Sequence, residues 1–201
     1  MMALIALSCL TAGVACGLWL FSPGASAWLT GHSQGMLWVL MFLVGISVGM
    51  GKDVLRRVGR YRLRVLLLPA AITGASVAAG FLCAPLTGLG LAESVCVTSG
   101  MGWYSLCGIM LTDLAGAKAG TVAFLANLLR ELLSFVVIPW IAAHLNHYTA
   151  IAPAGATSED TTLAILIRCT REDVVVLAVV NGVLCSAAVP FLIRFFYTVL
   201  G

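Results

Sequence analysis

Six long apolar stretches fill most of this chain: residues 2–21, 35–51, 64–85, 89–111, 118–143 and 173–199. Each is close to the roughly 20 residues that a helix needs to cross the hydrocarbon of a bilayer. The stretches follow one another with short connections, so no separate soluble domain fits between them. Only 9% of the 201 residues are charged and 61% are hydrophobic. The mean hydropathy is +1.07. Too few charges remain to cover a water-soluble surface. The expected fold is therefore an all-α integral membrane protein forming one membrane domain over 1–201.

The charges that do exist are unevenly placed. Lys52, Arg56, Arg57, Arg60, Arg62 and Arg64 crowd the connection after the second stretch. Short loops rich in Lys and Arg stay in the cytoplasm. Parity then puts the N-terminus inside and the Lys- and Arg-free loop 22–34 outside. A nucleic-acid role for the basic cluster does not suit its position between membrane helices. ASA at 25–27 resembles a signal-peptide cleavage site, but no basic segment precedes it. The first stretch is read as a retained helix. The seven cysteines contain no C-x-x-C pair and read as small buried hydrophobes.

A seventh stretch, PAGATSEDTTLAILIRCTRED (153–173), is too short and too polar to span. Thr157 or Ser158 followed by Glu159 and Asp160 has the form of a helix start. A half-helix dipping into the membrane is expected, with an amphipathic surface helix as the plainer alternative. Glycines four apart (Gly13 and Gly17, Gly45 and Gly49, Gly116 and Gly120) suit close helix packing.

Three places carry chemistry. In the fifth stretch Asn127, Arg130, Glu131 and Ser134 fall at i, i+3, i+4 and i+7, on one helical face. Intramembrane ionisable groups usually mark a pathway. The competing reading is a buried Arg-Glu pair that only locks helices. In the fourth stretch, VTSGMGWYSLCGIML (97–111), glycines weaken the helix around Gly100–Ser105. Broken helices near the midplane are where secondary transporters bind substrate. Ser99 and Ser105 offer hydroxyls there, and Trp103 and Tyr104 offer rings. In the seventh stretch, Asp160 either caps a helix or faces Glu131 across a polar cavity. Two carboxylates in one low-dielectric site would attract a cation and exchange it for protons. His144 and His147 lack a third ligand and are not read as a metal site. Ser105 lacks a nucleophile-elbow pattern, so neither an enzyme nor a cofactor is expected.

TSGMGWYSLCGIMLTDLAG, FLANLLRELLSFVVIPW, GATSEDTTLAILIRCT and, in the second stretch, MFLVGISVG together resemble the LysO-type lysine exporters of bacteria. The resemblance implies an inner-membrane exporter of L-lysine and lysine analogues, built with crossed broken helices. It maps the family's acidic residues onto Glu131 and Asp160. Longer members carry extra N-terminal helices, so this chain resembles their C-terminal two-thirds. A second copy of the chain, or a small membrane subunit, is the partner this implies. The substrate and proton site expected on all these grounds comprises Glu131, Asp160, Arg130, Asn127, Ser134, Thr157, Ser158, Ser99, Trp103, Tyr104 and Ser105. Protons are the expected coupling ion.

Overall fold

A computed structural model describes residues 64–201 and, ahead of them, residues 8, 12–13, 15–22, 24–25, 28, 32, 39, 42 and 46. The basic loop 52–63 and most of the expected helices 2–21 and 35–51 lie outside the described residues. The chain divides into two compact units, Met1–Met50 and Gly51–Gly201. In the first, Cys16–Leu20 forms a π-helical stretch. Residues 24–25, 28 and 32 carry helical backbone where a loop was expected. Ser22 Oγ accepts the Ala25 amide and starts that turn as an N-cap does.

The described residues of the second unit are helical, with no strand among them. Helix α1 is Arg64–Thr87, α2 is Leu91–Ser99, α3 is Tyr104–Ala115 and α4 is Ala117–His144. Short 3₁₀ turns follow at Thr149–Ile151 and Gly155–Glu159. Helix α5 is Leu163–Cys169 and α6 is Glu172–Leu200. Leu66–Thr87, Ala117–His144 and Glu172–Leu200 are long and apolar enough to cross a membrane.

The fourth apolar stretch forms two helices, α2 and α3, rather than one. The break between α2 and α3 is Gly100–Trp103, within the expected window. Met101 (φ 48°) and Gly102 (φ 97°) take left-handed backbone there. The stretch 153–173 is broken as well, which corrects the expected helix start at Thr157 or Ser158. The residues 155–159 form a 3₁₀ turn, Asp160 leaves helical backbone (φ −129°, ψ −90°), and α5 begins only at Leu163. Ser158 is claimed by tertiary partners instead of the local cap. Its Oγ donates to the Ala178 carbonyl of α6 at 2.7 Å and accepts from Asn181 Nδ2 at 3.0 Å. Tertiary bonds of this kind override a local capping signal.

The two breaks meet. The Ala156 amide donates to the Met101 carbonyl at 2.9 Å. Gly155 (φ +58°) lets the backbones touch, because a Cβ there would sit 2.5 Å from the Met101 oxygen. Each break is also held by an asparagine from the following long helix. Asn127 of α4 accepts the Gly102 amide at 2.8 Å and donates to the Val97 carbonyl at 2.9 Å. Asn181 of α6 donates to the Gly155 carbonyl at 2.9 Å. Backbone groups freed by a broken helix are thus satisfied by protein, as they must be at membrane depth.

Small residues set the rest of the packing. Gly120 of α4 lies against Gly108 and Thr112 of α3, with no room for a Cβ. Its expected partner Gly116 serves differently, turning the chain between α3 and α4 at φ 88° with open space beside it. Among the described residues no heavy atom lies within 4 Å of a Cβ built at Gly13 or Gly17. Gly45 and Gly49 lie outside the described residues. Ser94 Oγ ties α2 to the Gly80 carbonyl of α1, and Cys96 Sγ faces the Ile193 carbonyl of α6. The six described cysteines are free, with Cys96, Cys107 and Cys185 buried.

Candidate functional site

Helix α4 presents two faces. Leu125, Leu129, Leu133, Val136 and Trp140 are exposed, which suits lipid. Asn127, Glu131 and Ser134 are 3%, 5% and 1% exposed, and Arg130 is half-buried. The polar stripe read from the spacing therefore faces protein.

Its members do different things. Asn127 is fully committed to the first break, with its remaining bond going to the Ala123 carbonyl at 2.9 Å. Ser134 Oγ lies 2.8 Å from the Arg130 carbonyl and 2.9 Å from that of Pro153, and its one proton serves both. Arg130 turns toward α1 and the lead-in to the second break. It donates from Nη1 to Ser76 Oγ at 3.0 Å, from Nε to Pro153 O at 3.3 Å and from Nη2 to Ala152 O at 3.5 Å. Among the described residues no carboxylate pairs with it; the one ion pair there joins Arg171 to Asp173 at 3.1 Å. That pair lies at the start of α6, and the Asp173 carboxylate holds the Arg171 guanidinium above its ordinary range.

Glu131 turns the other way. Thr161 is within hydrogen-bonding reach of its carboxylate, and Asp160 is close enough to repel it. The Thr161 hydroxyl also donates to Asp160 Oδ1 at 3.3 Å. Tyr104 feels both carboxylates, and its ring packs edge-on against Phe124 at 5.1 Å between centroids. So Glu131, Asp160, Thr161 and Tyr104 form one cluster where α3, α4 and the second break come together. Thr161 has a single hydroxyl proton for two carboxylates. Asp160 also accepts the Thr161 amide and is exposed, whereas Glu131 is buried, so a proton or a cation between them relieves a repulsion that falls chiefly on Glu131.

The other expected residues are placed as follows. Ser99 is fully buried and donates to the Val95 carbonyl of its own helix at 2.7 Å. Thr157 Oγ1 donates to the Ala154 carbonyl at 2.9 Å, and its side chain packs against Gly102. Ser158 is spent on α6 as described above. Trp103 is half-buried and closes the first break, its amide bonded to the Gly100 carbonyl at 2.8 Å. Ser105, on the first turn of α3, makes no hydrogen bond among the described residues. The hydroxyls of Ser99, Thr157 and Ser158 thus fasten backbone, whereas Tyr104 feels the charge of the two carboxylates.

Sequence reasoning passed over Ser76, the α1 partner of Arg130, and Thr161, the link between the carboxylates. Asn181 and Ser186 sit among the apolar residues of α6. Both are buried, and Ser186 Oγ donates to Glu159 Oε1 at 3.1 Å. Glu159 thereby points to α6 while its neighbour Asp160 points to α4. For Ser76, Asn181 and Ser186 the signal was an uncharged polar residue inside an apolar helix, which has no place there without a partner; Thr161, in the turn before α5, gave no such signal. Among the described residues no three His, Cys, Asp or Glu side chains converge as metal ligands.

Ser134→Ala is expected to cost about 0.5–1.5 kcal/mol, the net value of one hydrogen bond. Chemical unfolding in detergent measures it. A loss several times larger would mean that Ser134 holds more than these two carbonyls.

No solved structure matches the chain. The family model described as "Lysine exporter LysO" matches residues 7–197. The chain is 36% identical over 167 residues to a protein of Escherichia coli named "Lysine exporter LysO", covering 83% of this chain but 55% of that one. It is 32% identical over 188 residues to a "Putative lysine exporter" of Haemophilus influenzae, covering 92% of this chain and 90% of that one. A helical membrane architecture with two broken segments and a family match over nearly its whole length leave one conclusion: this chain belongs to the lysine exporter LysO family.

Proposed function

We propose that the chain exports L-lysine and lysine analogues across the bacterial inner membrane by proton antiport through Glu131 and Asp160. The observation that carries this reading is the hydroxyl of Thr161 between two carboxylates, one of them, Glu131, buried on an apolar helix long enough to span. An ammonium group or a proton satisfies such a pair and relieves the repulsion felt by the buried Glu131. The relatives' names supply the substrate class. Expelling a net +1 amino acid against an inside-negative potential costs roughly 2.3 kcal/mol per 100 mV. Exchange for one proton cancels that charge movement.

In the proposed cycle Glu131 and Asp160 hold the substrate ammonium facing the cytoplasm and release it outward as a proton takes its place. Tyr104 and Thr161 orient the carboxylates. Asn127, Ser134, Ser99, Thr157 and Ser158 hold the broken backbone in place. Trp103 and Ser105 flank the first break and line the approach. Residues 52–64 and the N-terminus are cytoplasmic in this arrangement. A second copy of the chain or a small membrane subunit completes the assembly.

The structural reading, in which the Arg-Glu pair only locks helices, is favoured by one observation: Arg130 is bonded to Ser76 and backbone. It does not extend to Glu131, whose neighbours are another carboxylate and a hydroxyl. The test is efflux of labelled lysine from cells expressing this chain, alone and with any small membrane protein encoded beside it. An acidic exterior is expected to accelerate efflux. Efflux unaffected by the pH gradient removes proton antiport; no efflux in either setting removes lysine export.

A further inference from the structure

On the α1 side of the crossing, away from the carboxylate cluster, lies a cavity of about 300 Å³. Its polar wall is Ser76, Thr98, Asn127 and Arg130, and Ala75 and Ala126 line its apolar part. That size is at the lower end for a small-molecule site. Most of the polar wall is already committed. Thr98 Oγ1 donates to carbonyls of its own helix, at 3.1 Å to Val95. Asn127 holds the first break. Ser76 Oγ accepts from Arg130.

Arg130 is different. A guanidinium has five N–H donors, and three are used here, one each on Nε, Nη1 and Nη2. One N–H remains on Nη1 and one on Nη2. Nη1 and Nη2 together make the end-on edge of the guanidinium, which a carboxylate accepts bidentately. Cys185 lies near the guanidinium without neutralising it, since it is itself a buried thiol. Among the described residues the charge is thus compensated only by carbonyl dipoles at 3.3 and 3.5 Å and by one hydroxyl.

We propose that this cavity receives the α-carboxylate of the exported amino acid, held end-on by Nη1 and Nη2 of Arg130. The assignment rests on the export reading given above and adds its second recognition point. The substrate is then selected at two places: an ammonium by Glu131 and Asp160, and a carboxylate by Arg130. A diamine lacking the carboxylate satisfies only the first.

The test uses inside-out membrane vesicles from cells expressing the full chain, with the membrane potential collapsed. Uptake of labelled lysine is competed with lysine, lysinamide or cadaverine. Lysine is expected to compete about tenfold to a hundredfold better than lysinamide or cadaverine, the range of a charge-assisted contact. Ala126→Leu and, on the opposite wall, Ala75→Leu fill the cavity and leave every partner of Arg130 in place. Both are expected to bring the three competitors within about twofold of each other while cadaverine competes as before. Equal competition in the wild type would overturn the assignment and leave lysine export standing. No uptake of labelled lysine would remove the export reading and the assignment together. Replacing chloride by sulfate is expected to change nothing; transport that requires chloride would assign the cavity to an inorganic anion and overturn the proposal.

Discussion

Glu131→Gln is expected to abolish lysine efflux and leave the protein folded. The amide keeps the size of the side chain and can still meet Thr161. What it loses is the charge that attracts an ammonium and the site that exchanges a proton. A charge-assisted contact is worth about 1.5–3 kcal/mol, so binding alone falls roughly tenfold to a hundredfold. Loss of the exchangeable proton removes the coupling as well. Wild-type efflux should quicken when the outside is acidified, because protons then run inward down their gradient. The variant should show no such response. Relief of the Glu131–Asp160 repulsion should, if anything, make the folded variant firmer. Unimpaired, pH-responsive efflux from Glu131→Gln would end the assignment of this carboxylate to transport.

Gly155→Ala is expected to be the most disruptive single-methyl change in the crossing. A left-handed φ costs a non-glycine residue roughly 1–2 kcal/mol. The new methyl would also sit 2.5 Å from the Met101 carbonyl and 2.9 Å from Arg130 Nη2. Backbone cannot yield there without separating the two breaks, and such overpacking costs about 1–3 kcal/mol more. The sum is about 2–5 kcal/mol. Gly88→Ala is the control, with a φ of +69° and open space around it. It should lose only the backbone share. Unfolding of both variants in detergent separates the two effects, and equal losses would show that the contact with Met101 contributes nothing.

The long helices were legible because lipid leaves few options. Expected stretches 64–85, 118–143 and 173–199 appear as Arg64–Thr87, Ala117–His144 and Glu172–Leu200. The i, i+3, i+4, i+7 stripe correctly marked the protein-facing side of α4. The first break was legible as well, since three glycines within nine residues weaken any helix. The second was not. TSED has the form of an N-terminal cap, and nothing local says that α6 will take Ser158 for itself. The partners of adjacent residues were equally hidden. Arg130 and Glu131 stand about 100° apart on their helix, and Glu159 and Asp160 part company where the turn ends. Which neighbour each one finds depends on elements far away in sequence, such as Ser76 on α1 and Ser186 on α6.

The bond from the Ala156 amide to the Met101 carbonyl also bears on how the protein enters the membrane. Each broken segment has backbone groups that only the rest of the fold can satisfy. The first needs Asn127 and the second segment; the second needs the first and Asn181. Neither is therefore a stable passenger in lipid alone, where unpaired amides and carbonyls cost several kcal/mol each. During synthesis, residues 91–115 emerge long before residue 156 exists to receive them. Their insertion must wait in a wet or proteinaceous setting, or proceed as a provisional helix that is remodelled later. The crossing is thus a late step in biogenesis, completed only after α6 has left the ribosome.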